Sequence, residues 1–257
     1  MNEKIFQMIN LQAFPTPFCP GCGHGILMGS VLRAIAELEY DMKQMLFVSG
    51  IGCAAWIPSP HFKADTLHTL HGRAIAYATG AKLFNPKLKI MVISGDGDLS
   101  SIGGNHLIHA ARRNIDMSVI CANNMVYGMT GGQVASTTPL GALTTTTPKG
   151  NLERPFDLCK LAESAGATYV ARQPVATPIP LTRTLKKAIA HKGFSFVDVL
   201  SPCPIQYGRR NAFRTAYEMI KALRNSCIPV EKARGMSPEE LQGKVVVGEF
   251  VNLTTDE

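Results

Sequence analysis

Residues 95–128 read GDGDLSSIGGNHLIHAARRNIDMSVICANNMVYG, and this stretch decides the fold. Its polar tips, GDG at 95–97 and NN at 123–124, each follow an apolar run that has the pattern of a buried strand. The residues between the tips, 102–113, have the periodicity of one helix. A strand, loop, helix, strand, loop unit brings both tips to the carboxyl edge of a parallel sheet. The two tips are therefore expected to lie side by side.

The two tips have the composition of a magnesium and diphosphate site. Mg²⁺ prefers hard oxygen ligands and shares them with phosphate, so the carboxylate of Asp96, the amide of Asn124 and a backbone carbonyl are suitable ligands. Gly95 and Gly97 let the backbone approach a diphosphate, and a helix starting near Gly103 directs its amides at the anion. GDG alone is equally compatible with a plain strand-to-helix turn. The asparagine pair at this spacing favours the site.

The length and the alternation of elements predict an α/β fold, a doubly wound, mainly parallel sheet with helices on both faces. The chain has 257 residues and 46% hydrophobic content, enough for one large core. We expect one domain over residues 1–225 and a C-terminal arm over 226–257 that packs on this domain or on a partner chain. Further elements are predicted in order: a helix at 155–165, a strand at 167–171, and helices at 181–191 and 210–226.

The charge pattern excludes some partner classes. A formal charge of +7 suits an anionic cofactor, acidic substrates or an acidic electron carrier. The basic pairs are scattered without interleaved aromatics, which argues against nucleic acid. No run approaches 18 apolar residues and the N-terminus lacks the pattern of a signal peptide, so we expect a cytoplasmic protein without membrane contact.

Four of the seven cysteines are predicted to share the carboxyl edge of the sheet. Cytoplasmic cysteines are reduced, which indicates metal binding or packing rather than disulfides. Cys19 and Cys22 form CPGC before a predicted helix at about 25–39. Cys53 follows a predicted strand at 45–49, and Cys203 follows one at 194–200.

Such a set of thiolates is compatible with a structural zinc or with a four-iron cluster. Two remote single cysteines favour a zinc ribbon less, and a neighbouring diphosphate site gives a cluster a redox role. Four unrelated cysteines are the third alternative. The other three, Cys121, Cys159 and Cys227, lie in apolar or helical contexts, where packing is the default.

Two further features adjoin the predicted site. His71 and Arg73 stand at the start of a predicted helix at 74–84, where they either contact a phosphate or substrate carboxylate or form a capping or solvent-facing pair. The segment 127–150 is rich in threonine, glycine and proline, and it has the length of a lid or binding loop.

The motifs CPGCG, GIGC, LHGRA, GDGDLSSIGGNHLIHAARRN, NNMVYGMTGGQ, TTP and SPCP followed by GRRN resemble the beta subunit of 2-oxoacid:ferredoxin oxidoreductases, closest to the 2-oxoglutarate type. The resemblance covers about residues 15–215. It implies a thiamine-diphosphate-binding fold, a [4Fe-4S] cluster on Cys19, Cys22, Cys53 and Cys203, and Mg²⁺ on Asp96, Asn124 and the backbone of Val126. The implied contacts of the cofactors are Gly52, Cys53, His71, Gly95, Asp96, Gly97, Asp98, Asn124, Val126, Tyr127, Gly128, Met129 and Thr130.

The resemblance also implies an activity and partners. The expected reaction is oxidative decarboxylation of a 2-oxoacid with coenzyme A, giving acyl-CoA, carbon dioxide and reduced ferredoxin. An alpha subunit is expected to supply the glutamate that activates the aminopyrimidine, with small ferredoxin-like and gamma-type subunits alongside.

The substrate stays open at this point. Many relatives carry a basic residue shortly after the third cysteine, whereas this chain has Ala54-Ala55-Trp56. Pyruvate and branched-chain 2-oxoacids are therefore alternatives to 2-oxoglutarate. An alternative from another class is a non-catalytic scaffold subunit stabilised by zinc.

Overall fold

The computed structural model describes residues 3–253, which form one central sheet covered by helices on both faces. The strands of the main sheet are β1 (Met45–Ser49), β2 (Asp65–His68), β3 (Lys89–Gly95), β4 (Met117–Asn123), β7 (Tyr169–Pro174), β8 (Phe194–Leu200), β9 (Cys227–Pro229) and β10 (Val245–Asn252). Their order in the sheet is β2-β1-β3-β4-β8-β7-β10-β9. β5 (Val126–Tyr127) and β6 (Gln133–Val134) form a separate small hairpin.

The helices alternate with the strands, as a doubly wound sheet requires. They are α1 (Glu3–Met8), α2 (His24–Leu38), α3 (Ala74–Phe84), α4 (Gly104–Arg112), α5 (Leu158–Ser164), α6 (Pro178–Ala190), α7 (Ala216–Ser226) and α8 (Val230–Ala233). The predicted α/β architecture is confirmed. Within residues 3–253, none of the helices combines the length and the apolar character needed to cross a membrane.

The central strands are buried along their whole length because helices cover both faces. β4 and β8 are neighbours in parallel register, and every residue of both is buried. Near-continuous apolar runs are typical of such strands. Side chains alternate between two cores: Phe47 packs with α1, α2 and α6, whereas Val48 packs with α3, α4 and α5.

Six neighbouring strands of the sheet run parallel, in the order β2, β1, β3, β4, β8 and β7. Their carboxyl ends therefore meet at one edge. β1, β3, β4 and β8 are consecutive in the sheet. The loops that follow these four strands carry Cys53, Asp96, Asn124 and Cys203, whereas Cys19 and Cys22 precede α2.

The predicted bounds of several elements agree with those in the structure, and others differ by a few residues. β1, α3 and β8 have the expected bounds, and α2 differs by one residue at each end. α5 is shorter than predicted because the Asp157 side chain accepts hydrogen bonds from the amides of Cys159 and Lys160 and caps the helix there. α6 begins earlier, at Pro178, a residue that suits a first helical turn, and the strand predicted at 167–171 is Tyr169–Pro174.

Two helix predictions were wrong at their starts. The helix expected from 210 begins at Ala216, because Ala212 has a left-handed φ of 62° and Thr215 forms a capping box with Glu218. The helix expected from 102 begins at Gly104, after a stretch of π-helix over Gly97–Ile102. Such π-helical segments are frequent at functional sites.

The C-terminal segment joins the main sheet. β10 pairs antiparallel with β7 and parallel with β9, so both strands run against the other six. The expected boundary after residue 225 therefore falls at the end of α7, and the chain beyond it extends the same sheet. A contact of this segment with a partner chain stays a prediction.

Candidate functional site

Two adjoining cavities lie at the carboxyl edge of the sheet. The first, of about 90 Å³, is called here the aspartate cavity because Asp96 lines it. The second, of about 220 Å³, is called the thiol cavity because Cys19, Cys22, Cys53 and Cys203 all line it. The walls shared by the two cavities are His24, Cys53, Asn124, Gly128 and Met129.

The aspartate cavity collects the residues that the sequence predicted as cofactor contacts. All thirteen of them line it, and three more residues complete its wall: His24, Ile51 and Ala54. The thirteen predicted contacts come from the carboxyl ends of β1, β2, β3 and β4 and the segments that follow, because parallel strands deliver their loops to one edge, whereas His24 is at the start of α2. Their individual roles stay predictions.

Asp96 is held by hydrogen bonds on both carboxylate oxygens. It is 1% exposed at the end of β3. The hydroxyl of Thr137 donates to Oδ2, and the amide of Asn124 donates to Oδ1 at 3.3 Å. Burial raises the pKa of Asp96 to about 6, although both hydrogen bonds act to lower it. Because burial disfavours the ionised form of Asp96, a bound cation would stabilise that form.

A tight turn after β4 presents Asn124. Asn124 Oδ1 accepts a hydrogen bond from the amide of Val126 at 3.2 Å, and Asn123 Oδ1 accepts one from Met125 at 3.2 Å. Met125 has a left-handed φ of 67°, so these side chains hold an uncommon backbone conformation. Asn123 is in turn anchored by its Nδ2, which donates to Asp198 at 3.0 Å.

The space available for a side chain differs among the glycines around the aspartate cavity. A Cβ added to Gly95 or Gly52 would meet no atom within 4 Å, so the backbone at both positions borders open space. A Cβ on Gly97 would lie 2.5 Å from the ring of Tyr127. Gly97 therefore makes room for Tyr127, whose hydroxyl donates to the Gly97 carbonyl at 3.1 Å, rather than only for a ligand.

His71 and Arg73 separate in the structure. His71 is half-buried, lines the aspartate cavity and makes a short contact from Nδ1 to the carboxylate of Asp98. Arg73 is exposed, and its guanidinium donates hydrogen bonds to the carbonyl oxygens of Gly72 and Ile102 at 3.4 and 3.3 Å. Arg73 does not line the cavity.

The thiol cavity brings the four predicted cysteines together. Burial raises the pKa of Cys22 to about 12 and that of Cys53 to about 11, and the neighbouring thiols raise both further. All four thiols are free of disulfides. Because metal ligation requires thiolates, a bound cation would have to offset this cost.

Backbone amides already point at two of the sulfurs. The amide of His24, at the start of α2, hydrogen-bonds to Cys22, and the amide of Gln206 donates to Cys203 Sγ at 3.4 Å. Amide donors to sulfur are a recurrent means of tuning cluster potentials.

Within residues 3–253, no three cysteine, histidine, aspartate or glutamate side chains converge closely enough to hold a single metal ion. The sulfurs of a tetrahedral zinc site lie only about 3.8 Å apart, given Zn–S bonds of about 2.3 Å. A four-iron cluster holds its cysteine sulfurs further apart, because each binds a different iron.

The remaining cysteines lie outside both cavities. Cys121 and Cys159 are buried in the apolar core, as expected. Cys227 is half-buried on β9, and its sulfur contacts the carbonyl of Leu223 at 3.0 Å.

Sequence reasoning missed two residues of the site. Thr137 reaches Asp96 from the segment at 127–150, and the only signal was the TTP motif that contains it. His24 is 1% exposed, lines both cavities and bonds Ser201 Oγ through Nδ1 at 2.7 Å. Its position directly after CPGCG was the available signal.

The chain is similar to known proteins over nearly its whole length. Residues 50–199 match the family described as thiamine pyrophosphate enzyme, C-terminal TPP binding domain. The 2-oxoglutarate synthase subunit KorB of Methanocaldococcus jannaschii is 53% identical over 95% of this chain and 90% of that protein. The subunit KorB of Methanothermobacter marburgensis is 49% identical over 98% of this chain and 89% of that protein.

A solved structure has the same fold. The 2-oxoglutarate:ferredoxin oxidoreductase from Magnetococcus marinus, with 2-oxoglutarate, coenzyme A and succinyl-CoA bound, superimposes with a TM-score of 0.86 at 33% identity. The match covers 99% of this chain and 87% of that chain. With a thiamine-diphosphate-binding domain and these relatives, the chain belongs to the beta subunits of the 2-oxoacid:ferredoxin oxidoreductases.

Proposed function

We propose that this chain is the redox-active beta subunit of an enzyme that oxidatively decarboxylates 2-oxoglutarate with coenzyme A, giving succinyl-CoA, carbon dioxide and reduced ferredoxin. The observation that carries the proposal is the wall shared by the aspartate and thiol cavities, which Cys53 and Gly128 both line. A Cβ on Gly128 would stand 3.7 Å from Cys53 Sγ and 3.8 Å from Cys203 Sγ. A cofactor in one cavity and a cluster in the other would therefore be near neighbours.

The residues of the aspartate cavity fit magnesium and a diphosphate. Asp96 and Asn124 offer hard oxygen ligands, the backbone carbonyl of Val126 is the proposed third, and Gly52 and Gly95 border open space. Thiamine diphosphate, when bound, supplies the electron sink for decarboxylation. The contribution of this chain is to hold the anionic end of the cofactor and to keep Asp96 aimed at the metal through Thr137.

The residues of the thiol cavity fit an iron–sulfur cluster. Four free thiols line it, and amides of His24 and Gln206 donate to two of the sulfurs. The family membership argues against the zinc-stabilised scaffold. In this proposal Cys19, Cys22, Cys53 and Cys203 hold a [4Fe-4S] cluster that accepts electrons one at a time.

The choice of 2-oxoglutarate rests on the relatives, since their names and the bound ligands of the Magnetococcus marinus enzyme point to it. This chain places Ala54-Ala55-Trp56 after the third cysteine, and Arg73 lies away from the aspartate cavity. A second substrate carboxylate would therefore be bound by the partner chain. Pyruvate or a branched-chain 2-oxoacid is the alternative substrate.

The site requires a partner. Within the described residues, no glutamate lines either cavity, and the group that activates the aminopyrimidine is assigned to an alpha subunit. The exposed side chains of Ile51 and Met129 at the aspartate cavity offer that subunit an apolar contact. The proposal also includes small ferredoxin-like and gamma-type subunits, with ferredoxin as the electron acceptor. It places the protein in the cytoplasm, because thiols stay reduced in that compartment.

The test is to purify the chain with its co-expressed partners and measure coenzyme-A-dependent viologen reduction with a panel of 2-oxoacids. We expect iron, sulfide and thiamine diphosphate in the purified complex and the highest kcat/KM with 2-oxoglutarate. Zinc without iron would contradict the assignment of the chain to an enzyme. A higher kcat/KM with pyruvate or a branched-chain acid would contradict the assignment of 2-oxoglutarate as the substrate.

A further inference from the structure

The turn that carries Cys19 and Cys22 reaches the protein surface. Cys19, Pro20 and Gly21 are exposed, whereas Cys22 is half-buried. Gly21 has a left-handed φ of 80°, and a Cβ added to it would lie 2.3 Å from the Cβ of Ala216, the first residue of α7. The turn is therefore packed tightly against α7 on one side. On the other side Cys19, which lines the thiol cavity, also forms part of the outer surface.

A groove of about 240 Å³ lies beside this turn and is called here the arginine groove. Two of its residues, Pro204 and Ile205, also line the thiol cavity, so the groove and the cavity share a wall. Pro20 and Pro204 in the groove are the chain neighbours of Cys19 and Cys203. A molecule in the groove would therefore lie directly outside the thiol cavity. The walls of the groove include Pro20, Pro204, Ile205, Arg209, Phe213 and Arg214.

Two arginines give the groove a positive charge. Arg209 and Arg214 are exposed, and neither makes an ion pair with a carboxylate of residues 3–253. The carboxylate of Glu218 accepts hydrogen bonds from the backbone amides of Arg214 and Thr215 at 2.9 and 3.3 Å, where it caps α7. Two guanidinium groups outweigh this one carboxylate, so the groove favours a partner with negative charge.

The neighbouring Arg210 has a different environment. Its guanidinium donates hydrogen bonds to the carbonyl and side-chain oxygens of Gln206 at 3.1 and 2.9 Å and to the carbonyl of Gly131 at 3.5 Å. The amide of Gln206 in turn donates to Cys203 Sγ at 3.4 Å. Arg210 therefore supports the loop that holds Cys203, and it is not counted among the groups that face a partner.

The groove has the composition of a small protein contact. Ile205, Phe213 and two prolines provide apolar surface beside the two arginines. Aromatic residues and arginine are enriched in protein interfaces, and electron-transfer encounters use small ones. Charged groups in such a contact mainly accelerate association and select the partner. A protein that collects electrons from the thiol cavity and carries an acidic face fits this surface.

We propose that the arginine groove is the docking surface for an exchangeable, acidic iron–sulfur protein of the ferredoxin class, with Arg209 and Arg214 facing its carboxylates. The inference rests on the proposed function, because that function supplies the cluster and the acceptor. In that reaction the bond between the 2-oxo carbon and the carboxylate breaks, carbon dioxide leaves, and the thiol of coenzyme A loses its proton and forms the thioester. The electron pair of the broken bond leaves as two single electrons. Each electron passes the wall at Pro204 and Ile205 and reduces one acceptor cluster.

Charge reversal in the complex with its partner subunits tests this surface. The variant carries Arg209→Glu and Arg214→Glu, and its acceptors are a purified acidic [4Fe-4S] ferredoxin and, separately, methyl viologen. The electron donor is whichever 2-oxoacid the parent complex oxidises fastest. At low ionic strength we expect kcat/KM for ferredoxin to fall roughly 10- to 100-fold, because the charges that steer association are reversed. Viologen is a small cation that needs no acidic docking contact, so its reduction and the iron content should stay at the parental level.

Salt and two further variants serve as controls. The parental kcat/KM for ferredoxin should fall as ionic strength rises, whereas that of the charge-reversal variant should not fall. Arg209→Gln with Arg214→Gln should give an intermediate loss, which keeps the test valid if charge reversal disturbs folding. Arg112→Glu with Arg113→Glu makes the same change of charge at exposed positions at the end of α4, on the amino edge of the sheet, and should behave like the parent.

Other outcomes contradict the proposal. A parental kcat/KM for ferredoxin in the charge-reversal variant would exclude the groove as the docking surface. An equal loss in the α4 variant would assign the effect to net charge rather than to this face. Loss of a partner subunit from the purified variant complex would show that this subunit, and not the exchangeable acceptor, covers the groove. If the parent complex reduces viologen with none of the 2-oxoacids, the proposed function itself fails.

Discussion

The hydroxyl of Thr137 donates a hydrogen bond to the buried carboxylate of Asp96, although the two residues are 41 positions apart. The segment at 127–150 is therefore more than a cover over the cavity, because it holds one oxygen of the proposed metal ligand. The amide of Asn124 holds the other oxygen at 3.3 Å. The orientation of Asp96 is thus fixed before any ligand binds.

Replacement of Thr137 by valine should weaken cofactor binding while leaving the fold intact. The change keeps the shape of the side chain and removes the donor to Asp96. Loss of a partner that orients a metal ligand commonly costs about 10- to 100-fold in affinity. Calorimetry of thiamine diphosphate with Mg²⁺ measures the loss. Thr145→Val, at an exposed position of the same segment, is the control, and equal affinities for the two variants would refute the role of Thr137.

The metal-free chain should lose stability as the pH rises from about 4 to about 6. Burial raises the pKa of Asp96 to about 6 from a usual value of 3.8. In this window the folded state binds more protons than the unfolded state, so the free energy of unfolding falls with rising pH, by on the order of 3 kcal/mol for a shift of this size. Denaturant unfolding at pH 4.5 and pH 7 measures the change.

The Asp96→Asn variant is the control for this pH dependence, because its side chain does not titrate. It should show a flatter profile over the same window and should also lose magnesium-dependent affinity for thiamine diphosphate. A profile as steep as that of the parent would assign the pH dependence to another group.

Replacement of Cys203 by serine should remove the iron. Cys203 lines the thiol cavity and receives an amide hydrogen bond from Gln206. A cluster on three cysteines and one alcohol is expected to be lost or incomplete, which iron and sulfide analysis and the visible absorbance report. Cys227→Ser makes the same chemical change outside the cavity and should keep the parental iron content. Full iron occupancy in Cys203→Ser would exclude this residue as a ligand.

Replacement of Asp198 by asparagine should destabilise the whole domain. Asp198 is 1% exposed, pairs with Arg172 at 2.8 Å and also accepts from Asn123. Breaking a buried ion pair from one side commonly costs about 3–5 kcal/mol, since the remaining charge is left without its partner. Chemical denaturation measures the change. Asp157→Asn, at the partly exposed end of the same Arg172 network, should cost clearly less.

The sequence predicted the parts of the fold that local pattern controls. β1, α3 and β8 follow from apolar runs bounded by glycine or proline, and the carboxyl edge that gathers Asp96, Asn124 and Cys53 follows from parallel topology. Motif resemblance added the proposed cofactor contacts, all of which line one cavity.

Tertiary contacts account for what was missed. The pairing of Thr137 with Asp96 joins distant parts of the chain and leaves no periodic signal. The start of α7 depends on the left-handed backbone conformation of Ala212. Alanine rarely adopts that conformation, so the sequence does not indicate it. The entry of β10 into the sheet depends on its pairing with β7, which local composition does not encode.

The measurement that tests the central claim most directly is electron paramagnetic resonance of the purified complex, frozen after addition of 2-oxoglutarate and coenzyme A under anaerobic conditions. The proximity of the aspartate and thiol cavities predicts a reduced-cluster signal that requires the 2-oxoacid and disappears in both Cys203→Ser and Asp96→Asn. An intact cluster that dithionite reduces but no 2-oxoacid reduces would contradict the claim that the two cavities form one redox site.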